Sequence, residues 1–103
     1  MPEIRKLVVV ANPSQSADDR MVSLWLGDCG ADRVKICAYT VSMVEVVCWE
    51  DSSIHVQKGQ WVHEQFKKAG VDLHLAPGTY YVKVWVYKGA NVTTAITTFV
   101  VLP

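Results

Sequence analysis

The sequence lacks an excess of charge of either sign and any long hydrophobic run. Its 103 residues carry 10 Lys and Arg against 10 Asp and Glu, so the formal net charge is +0. A neutral chain has no electrostatic footprint for nucleic acid or an anionic membrane, and we expect neither as a partner. No apolar run approaches the roughly 18–20 residues that span a bilayer. The N-terminal run, Leu7–Ala11, is also too short for the core of a signal peptide.

Cysteine is scarce and shows no pairing motif. There are three cysteines, an odd number, and none form a Cys-x-x-Cys pair: Cys29, Cys37 and Cys48. A disulfide scaffold of this size would have an even number. We therefore predict three free thiols that act as small buried hydrophobes in a reducing compartment. Met1 at the start of the sequence favours a chain that is made in the cytoplasm and stays in that compartment.

Motifs for catalysis and metal binding are also missing from the sequence. It has no glycine-rich phosphate loop, no His-Glu-x-x-His and no nucleophile elbow. His55, His63 and His74 lie in separate segments without the short paired spacings of a zinc site. The loop aspartates, Asp18, Asp19, Asp28 and Asp32, are typical of solvated turns. We predict no enzyme activity, no catalytic residue, no bound metal and no cofactor.

A two-residue alternation of apolar and polar side chains dominates the sequence. The polar run Ser14–Arg20 is predicted as a loop, and Ile54–Lys58 is a candidate for a short strand. The alternation predicts an all-β fold: one domain over residues 1–103, an antiparallel two-sheet sandwich of seven or eight strands. The main predicted strands are Ile4–Ala11, Met21–Leu26, Arg33–Val41, Met43–Trp49, Thr79–Lys88 and Val92–Leu102.

One segment, Gly59–Ala69, does not alternate. Val62, Phe66 and Ala69 follow the i, i+4, i+7 spacing of a helical face. The spacing predicts a helix of one or two turns within residues 60–69 that crosses between the sheets and ends at Gly70.

The strand Thr79–Lys88 has the clearest alternation. One parity is apolar and is predicted to face the core: Tyr80, Val82, Val84 and Val86. The other parity is aromatic and basic and is predicted to face outward: Tyr81, Lys83, Trp85 and Tyr87. Large aromatic side chains on an outward face indicate that something covers them. A neighbouring protein subunit, a sugar ring or the segment Gly59–Ala69 are the three candidates.

Several motifs follow one another along the chain. Trp25 lies near the end of the second predicted strand, and Ile36–Val41 fits the pattern Ile-x-x-Tyr-x-Val. The run Leu73–Tyr81 contains Leu-x-Pro-Gly-Thr-x-Tyr, and Lys88–Asn91 forms a turn before the last predicted strand. In kind and order, these motifs resemble those of fibronectin type III and other immunoglobulin-like sandwich domains. The resemblance spans Met21 to Asn91 and implies the same sandwich fold.

The resemblance also implies a tyrosine corner, in which a tyrosine early in the predicted strand Thr79–Lys88 donates a hydrogen bond to a backbone carbonyl upstream. The family spacing points to Tyr81, whereas the strand parity points to Tyr80. If Tyr81 faced the core, Lys83 would too, and burying an unpaired Lys is costly. We therefore favour Tyr80 as the corner tyrosine.

Without a catalytic motif, the expected role is a non-enzymatic binding or structural module. A neutral sandwich with an aromatic face is expected to join a larger, oligomeric protein assembly. A virion is the natural example, since small immunoglobulin-like domains often decorate capsids or tails. The expected contacts are Tyr81, Lys83, Trp85 and Tyr87, with strand addition at an exposed edge. The alternative is a carbohydrate-binding module that uses Trp85, Tyr81 and Tyr87 as a stacking platform.

Overall fold

The fold was described from a computed structural model, which covers residues 2–15, 19–27, 30–54, 59–69 and 75–103. Within these residues, eight strands form two sheets, and a single 3-10 turn spans Phe66–Ala69. The strands are β1 Ile4–Val10, β2 Ser14–Gln15, β3 Met21–Leu26, β4 Arg33–Thr40, β5 Glu45–Asp51, β6 Trp61–Gln65, β7 Gly78–Lys88 and β8 Asn91–Leu102. The predicted all-β sandwich is therefore confirmed.

The smaller sheet has the order β1-β3-β6 and the larger one β2-β8-β7-β4-β5. All pairs are antiparallel except β2, which pairs in parallel with the end of β8. Ser14–Gln15 was predicted to be loop, and this short pairing corrects that prediction. Asn12 holds the chain there, because its side-chain oxygen accepts a hydrogen bond from the Val100 amide at 3.0 Å.

The core lies between the sheets and follows the alternation of the strands. Val82, Val84 and Val86 of β7 are fully buried, as the parity of that strand predicted. They face the inward residues of β3, which are also fully buried: Val22, Leu24 and Leu26. A chain of aromatic rings fills one end of the core, with ring centroids 5.3–5.5 Å apart: Trp49, Phe66, Phe99 and Tyr80.

The prediction of a helix within residues 60–69 is wrong for most of that segment. Residues 61–65 form β6 and pair with β3, and only the 3-10 turn that follows is helical. The inward positions of β6 are Val62 and Glu64, so a polar residue occupies a core position and hides the alternation. Glu64 is 1% exposed and accepts a hydrogen bond from the Trp49 indole at 3.2 Å, which offsets the cost of its burial.

The prediction of three free thiols is wrong for two of the cysteines. Cys37 and Cys48 lie opposite each other on β4 and β5 and form a disulfide, with Cα atoms 4.1 Å apart. An odd cysteine count excludes complete pairing but not one bond, and the prediction overlooked this. Cys29, most of the candidate strand Ile54–Lys58 and Gly70 lie outside the described residues.

Among the described residues, no helix is long and apolar enough to cross a bilayer.

Candidate functional site

The outward parity of β7 forms the centre of the larger sheet's outer surface. Its side chains point away from the buried valines and are half-buried: Tyr81, Lys83, Trp85 and Tyr87. Each has an outward neighbour on β4 or β8: Lys35 and Thr94 flank Trp85, while Arg33 and Val92 flank Tyr87. We call this surface the large outer face.

Cations of the chain itself cover the aromatic rings of the large outer face. The ammonium groups of Lys35 and Lys83 lie 5.0 Å and 4.8 Å from the Trp85 ring centroid. The Arg33 guanidinium lies 3.9 Å from the centroid of Tyr87. Such cation–π contacts stabilise rings and partly shield them from solvent. The half-buried state of these aromatics therefore arises in part within the chain.

The segment Gly59–Ala69, one candidate for covering these rings, does not do so. Its residues 61–65 belong to the other sheet, where they pair with β3. The aliphatic side chains that surround the aromatic row on β8 stay exposed: Val92 at 40%, Ile96 at 55% and Val100 at 38%. The large outer face thus combines aromatic rings and exposed aliphatic side chains with lysine, arginine and threonine.

The hairpin between β4 and β5 extends this surface with an apolar tip. Val41, Met43 and Val44 are 61%, 54% and 60% exposed. Met43 has a φ of 63°, in the left-handed region that glycine or asparagine usually occupies. The hairpin turn accounts for this backbone: the Met43 amide donates a hydrogen bond to the Thr40 carbonyl, and the Thr40 amide donates one to the carbonyl of Val44. β5 is also the outermost strand of its sheet, so its outer edge is open to pairing within the described part of the chain.

Tyr80 lies on the inward side of β7, and Tyr81 on the outward side. The Tyr80 hydroxyl donates a hydrogen bond to the carbonyl of Ala76, four residues upstream, at 2.5 Å. Its ring stacks on Phe99 at 5.3 Å. This is the geometry of a tyrosine corner, which fastens the segment before β7 to the core.

A second aromatic surface, which the sequence analysis missed, lies on the outer side of the smaller sheet. The Trp25 and Trp61 rings are 5.4 Å apart, and His63 stacks on Trp61 with planes 8° apart. Trp61 is 41% exposed. We call Trp25, Trp61 and His63 the tryptophan platform. Interpreting residues 61–65 as a strand would have revealed it, since Trp61 and His63 share a parity.

Ser23 holds the platform's imidazole in place. Its Oγ lies 2.8 Å from His63 Nδ1, and the serine is 3% exposed beneath the ring. The pair resembles a nucleophile beside a base, but so deeply covered a hydroxyl is poorly placed to reach a substrate carbonyl. The contact fixes the ring plane of His63 parallel to that of Trp61.

Most of the residues considered for metal binding cannot be placed. His55, His74, Asp18 and Asp28 lie outside the described residues, and His63 belongs to the tryptophan platform. One compact donor group is present elsewhere: the ligand atoms of Cys37, Glu45 and Cys48 lie within 4.8 Å of one another.

Comparison with known proteins identifies the fold and no more. The chain matches no protein-family model and no curated protein sequence. It is similar to two crystal structures of the β-glucuronidase of Parabacteroides merdae, one of them with glycerol in the active site. In both, the TM-score is 0.67 at 12% identity, over 97% of this chain and 13% of that enzyme. The chain thus spans a small fraction of the enzyme's length, and the similarity supports an immunoglobulin-like β-sandwich.

Proposed function

We propose that the chain is a non-enzymatic module that joins a larger protein assembly through its large outer face. The observation that carries the proposal is the composition of that face. Tryptophan, tyrosine and arginine, the residues that dominate protein interfaces, lie together on it: Trp85, Tyr87 and Arg33. Exposed aliphatic side chains surround them, and Ile96 is the most exposed of these on β8.

The size of the face supports a protein partner. Four long strands, β8, β7, β4 and β5, lie side by side across it. The usual strand spacing and rise give it an area of roughly 600 Å². One partner in a standard protein interface contributes about 800 Å², so the face and the hairpin tip together are of suitable size.

The partners we propose are copies of this chain or other subunits of the same assembly, neither nucleic acid nor membrane. A virion is the assembly we favour, with the chain as a capsid-decorating or tail component made in the cytoplasm. Such particles repeat one contact many times around their symmetry axes, so a modest face on each copy is sufficient. Co-sedimentation of the chain with particles from its source tests this part of the proposal.

Size-exclusion chromatography with light scattering tests the assembly itself. We expect wild-type protein to run well above 11.5 kDa at high concentration or in extracts of its source. Ile96→Asp places a charge in the large outer face and should return the chain to a monomer. Val10→Asp is the matched control, because Val10 is 49% exposed on the smaller sheet. A chain that is monomeric in every condition contradicts the proposal.

Met43→Gly separates docking from folding at the hairpin tip. Glycine adopts the left-handed backbone of position 43 without the penalty of a side chain. We therefore expect this variant to be as stable as wild type, or about 1 kcal/mol more stable. If the tip contacts a partner, association should weaken nevertheless. Unchanged association would remove the hairpin tip from the proposed interface.

A second candidate function, carbohydrate binding, is favoured by the tryptophan platform. Sugar rings stack on flat aromatic surfaces, and Trp61 presents an exposed indole with His63 parallel to it. The platform suits this role better than Trp85, Tyr81 and Tyr87, because lysines already lie over the Trp85 ring.

A glycan array distinguishes the two candidates. Sugar binding that is lost in Trp61→Ala and kept in Trp85→Ala would support the tryptophan platform. The reverse pattern would support the alternative that the sequence analysis raised, with Trp85 as the stacking residue. Absence of binding to any glycan would exclude the carbohydrate function and leave the assembly proposal unaffected.

A further inference from the structure

A carboxylate lies beside the disulfide of the β4–β5 hairpin, and it cannot accept a hydrogen bond from the oxidised sulfurs. Glu45 Oε1 lies 3.0 Å from the sulfur of Cys48. A sulfur in a disulfide carries no proton, so it cannot donate a hydrogen bond to that oxygen. A thiol could donate such a bond, and a metal ion could bind both atoms.

We propose that Cys37, Glu45 and Cys48 form a redox-controlled site for Zn²⁺, which is closed in the disulfide state and opens on reduction. The three ligand atoms lie within 4.8 Å of one another. Two thiolates and one carboxylate are a donor set that zinc accepts, with water in the fourth tetrahedral position. The site lies on the same side of the larger sheet as the large outer face, so the proposal concerns the undocked chain; its test uses the isolated chain and does not depend on the proposed assembly.

The distances suit a metal after a small movement. Tetrahedral zinc with sulfur ligands at about 2.3 Å places the two sulfurs about 3.8 Å apart. A carboxylate oxygen at about 2.0 Å from zinc lies about 3.5 Å from each sulfur. Glu45 already lies near that distance from Cys48. Breaking the S–S bond and rotating the two cysteine side chains supplies the remaining change without moving the paired strands.

The surroundings allow a metal to enter from solvent. Cys37 is 1% exposed, Cys48 is half-buried and Glu45 is exposed, so the open side of the site faces outward. Metal binds the thiolate form of the cysteines, and the exposed Glu45 carboxylate supplies the third ligand from the solvent side.

A dithiol reductant transfers two electrons and two protons to the Cys37–Cys48 bond and is itself oxidised to a cyclic disulfide. The two protein thiols then release two protons as Zn²⁺ binds. A small-molecule disulfide reverses the sequence by thiol–disulfide exchange: it accepts two electrons from the two thiolates and two protons from water, leaves as two thiols, and Zn²⁺ is released as the Cys37–Cys48 bond forms again.

The test uses the full chain in a Cys29→Ser background, so that only two thiols remain. The protein is reduced with a dithiol, freed of it without oxygen, and titrated with Zn²⁺ by calorimetry. We expect one ion per chain with the reduced protein and none with the oxidised protein. Cd²⁺ should give a thiolate charge-transfer absorption with the same stoichiometry.

Glu45→Gln is the informative variant, because Glu45 is exposed and its loss should not disturb folding. Loss of a ligand should weaken Zn²⁺ binding at least about tenfold. Glu50→Gln on the same strand is the matched control and should bind as wild type does. Equal affinity in Glu45→Gln would overturn the proposed ligand set.

The folded state of the reduced chain is monitored by near-ultraviolet circular dichroism. If reduction unfolds the chain and Zn²⁺ does not restore the signal, no site exists and the proposal is overturned. A folded, reduced chain that takes up no Zn²⁺ would overturn it equally.

Discussion

The two outward surfaces of the sandwich both carry tryptophan, but different groups cover the rings. On the large outer face, the ammonium groups of Lys35 and Lys83 both lie within 5.0 Å of the Trp85 ring centroid. On the smaller sheet, Trp61 has no such cation among the described residues and contacts Trp25 and His63 instead. One ring is therefore covered by charge and the other by aromatic neighbours.

This difference decides what each surface can bind. A lysine stem over an indole occupies the ring face that a sugar would need, yet it adds a charge that a protein partner can use. His63 stacks on the Trp61 indole, and that side chain nevertheless remains 41% exposed, so part of it is available to a ligand. The exposed fraction of a tryptophan side chain therefore identifies its ligand less well than the groups that contact the ring.

Alanine at each tryptophan gives the largest expected contrast. Trp85→Ala removes a half-buried ring with two cation–π contacts and should lower the free energy of unfolding by about 2 kcal/mol. Trp61→Ala removes a more exposed ring and should cost about 1 kcal/mol. Urea denaturation followed by far-ultraviolet circular dichroism measures both.

The order of these two values is what matters. If Trp61→Ala proved the more destabilising, the tryptophan platform would be a structural cluster rather than an available binding surface. Trp49→Phe serves as a reference for a buried indole, since it leaves the core ring in place but removes the donor to Glu64.

The sequence predicted the large outer face but not the tryptophan platform, and the reason lies in one residue. In β7 every inward position from Tyr80 to Val86 is apolar, so the alternation is evident. In β6 the inward residue Glu64 is polar. Its carboxylate accepts a hydrogen bond from the indole of Trp49, which is distant in sequence. A pattern based on hydrophobicity cannot anticipate a partner that only the fold brings near.

Contacts between distant strands were also beyond the sequence. Lys35 reaches Trp85 only because of the register between β4 and β7. The disulfide also depends on register. Folding the predicted strands Arg33–Val41 and Met43–Trp49 about Ser42 would place Cys37 opposite Val47, and it is the register shift between Ala38 and Tyr39 that brings Cys37 opposite Cys48.

Tyr80 and Tyr81 are adjacent in β7 but lie on opposite sides of the sheet. The expected difference in stability between their phenylalanine variants is smaller than the changes expected for the tryptophans. Tyr80→Phe removes the hydrogen bond to Ala76 and should lower the free energy of unfolding by about 1–1.5 kcal/mol. Tyr81→Phe should change it by less than about 0.5 kcal/mol, because Tyr81 lies on the outward side. Equal losses in chemical denaturation would contradict the assignment of Tyr80 as the corner tyrosine.

Replacing the lysines by methionine tests the covering of Trp85 with the smallest expected effect. Methionine keeps an apolar stem but removes the charge, so Lys83→Met should cost about 0.5 kcal/mol through the lost cation–π contact alone. Lys6→Met is the matched control, since Lys6 pairs with Trp25 on the smaller sheet and is exposed; it should change stability little.

Quenching of tryptophan fluorescence by acrylamide supplies the second measurement for these variants. A neutral quencher is needed, because iodide would be attracted to the lysines themselves. In a Trp61→Phe background, the quenchable fraction should rise in the double variant Lys35→Ala, Lys83→Ala as the Trp85 ring becomes accessible. If neither stability nor quenching changes, the lysines do not cover that ring in solution. Trp85 would then be as available to a sugar as Trp61, and the contrast between the two surfaces would be lost.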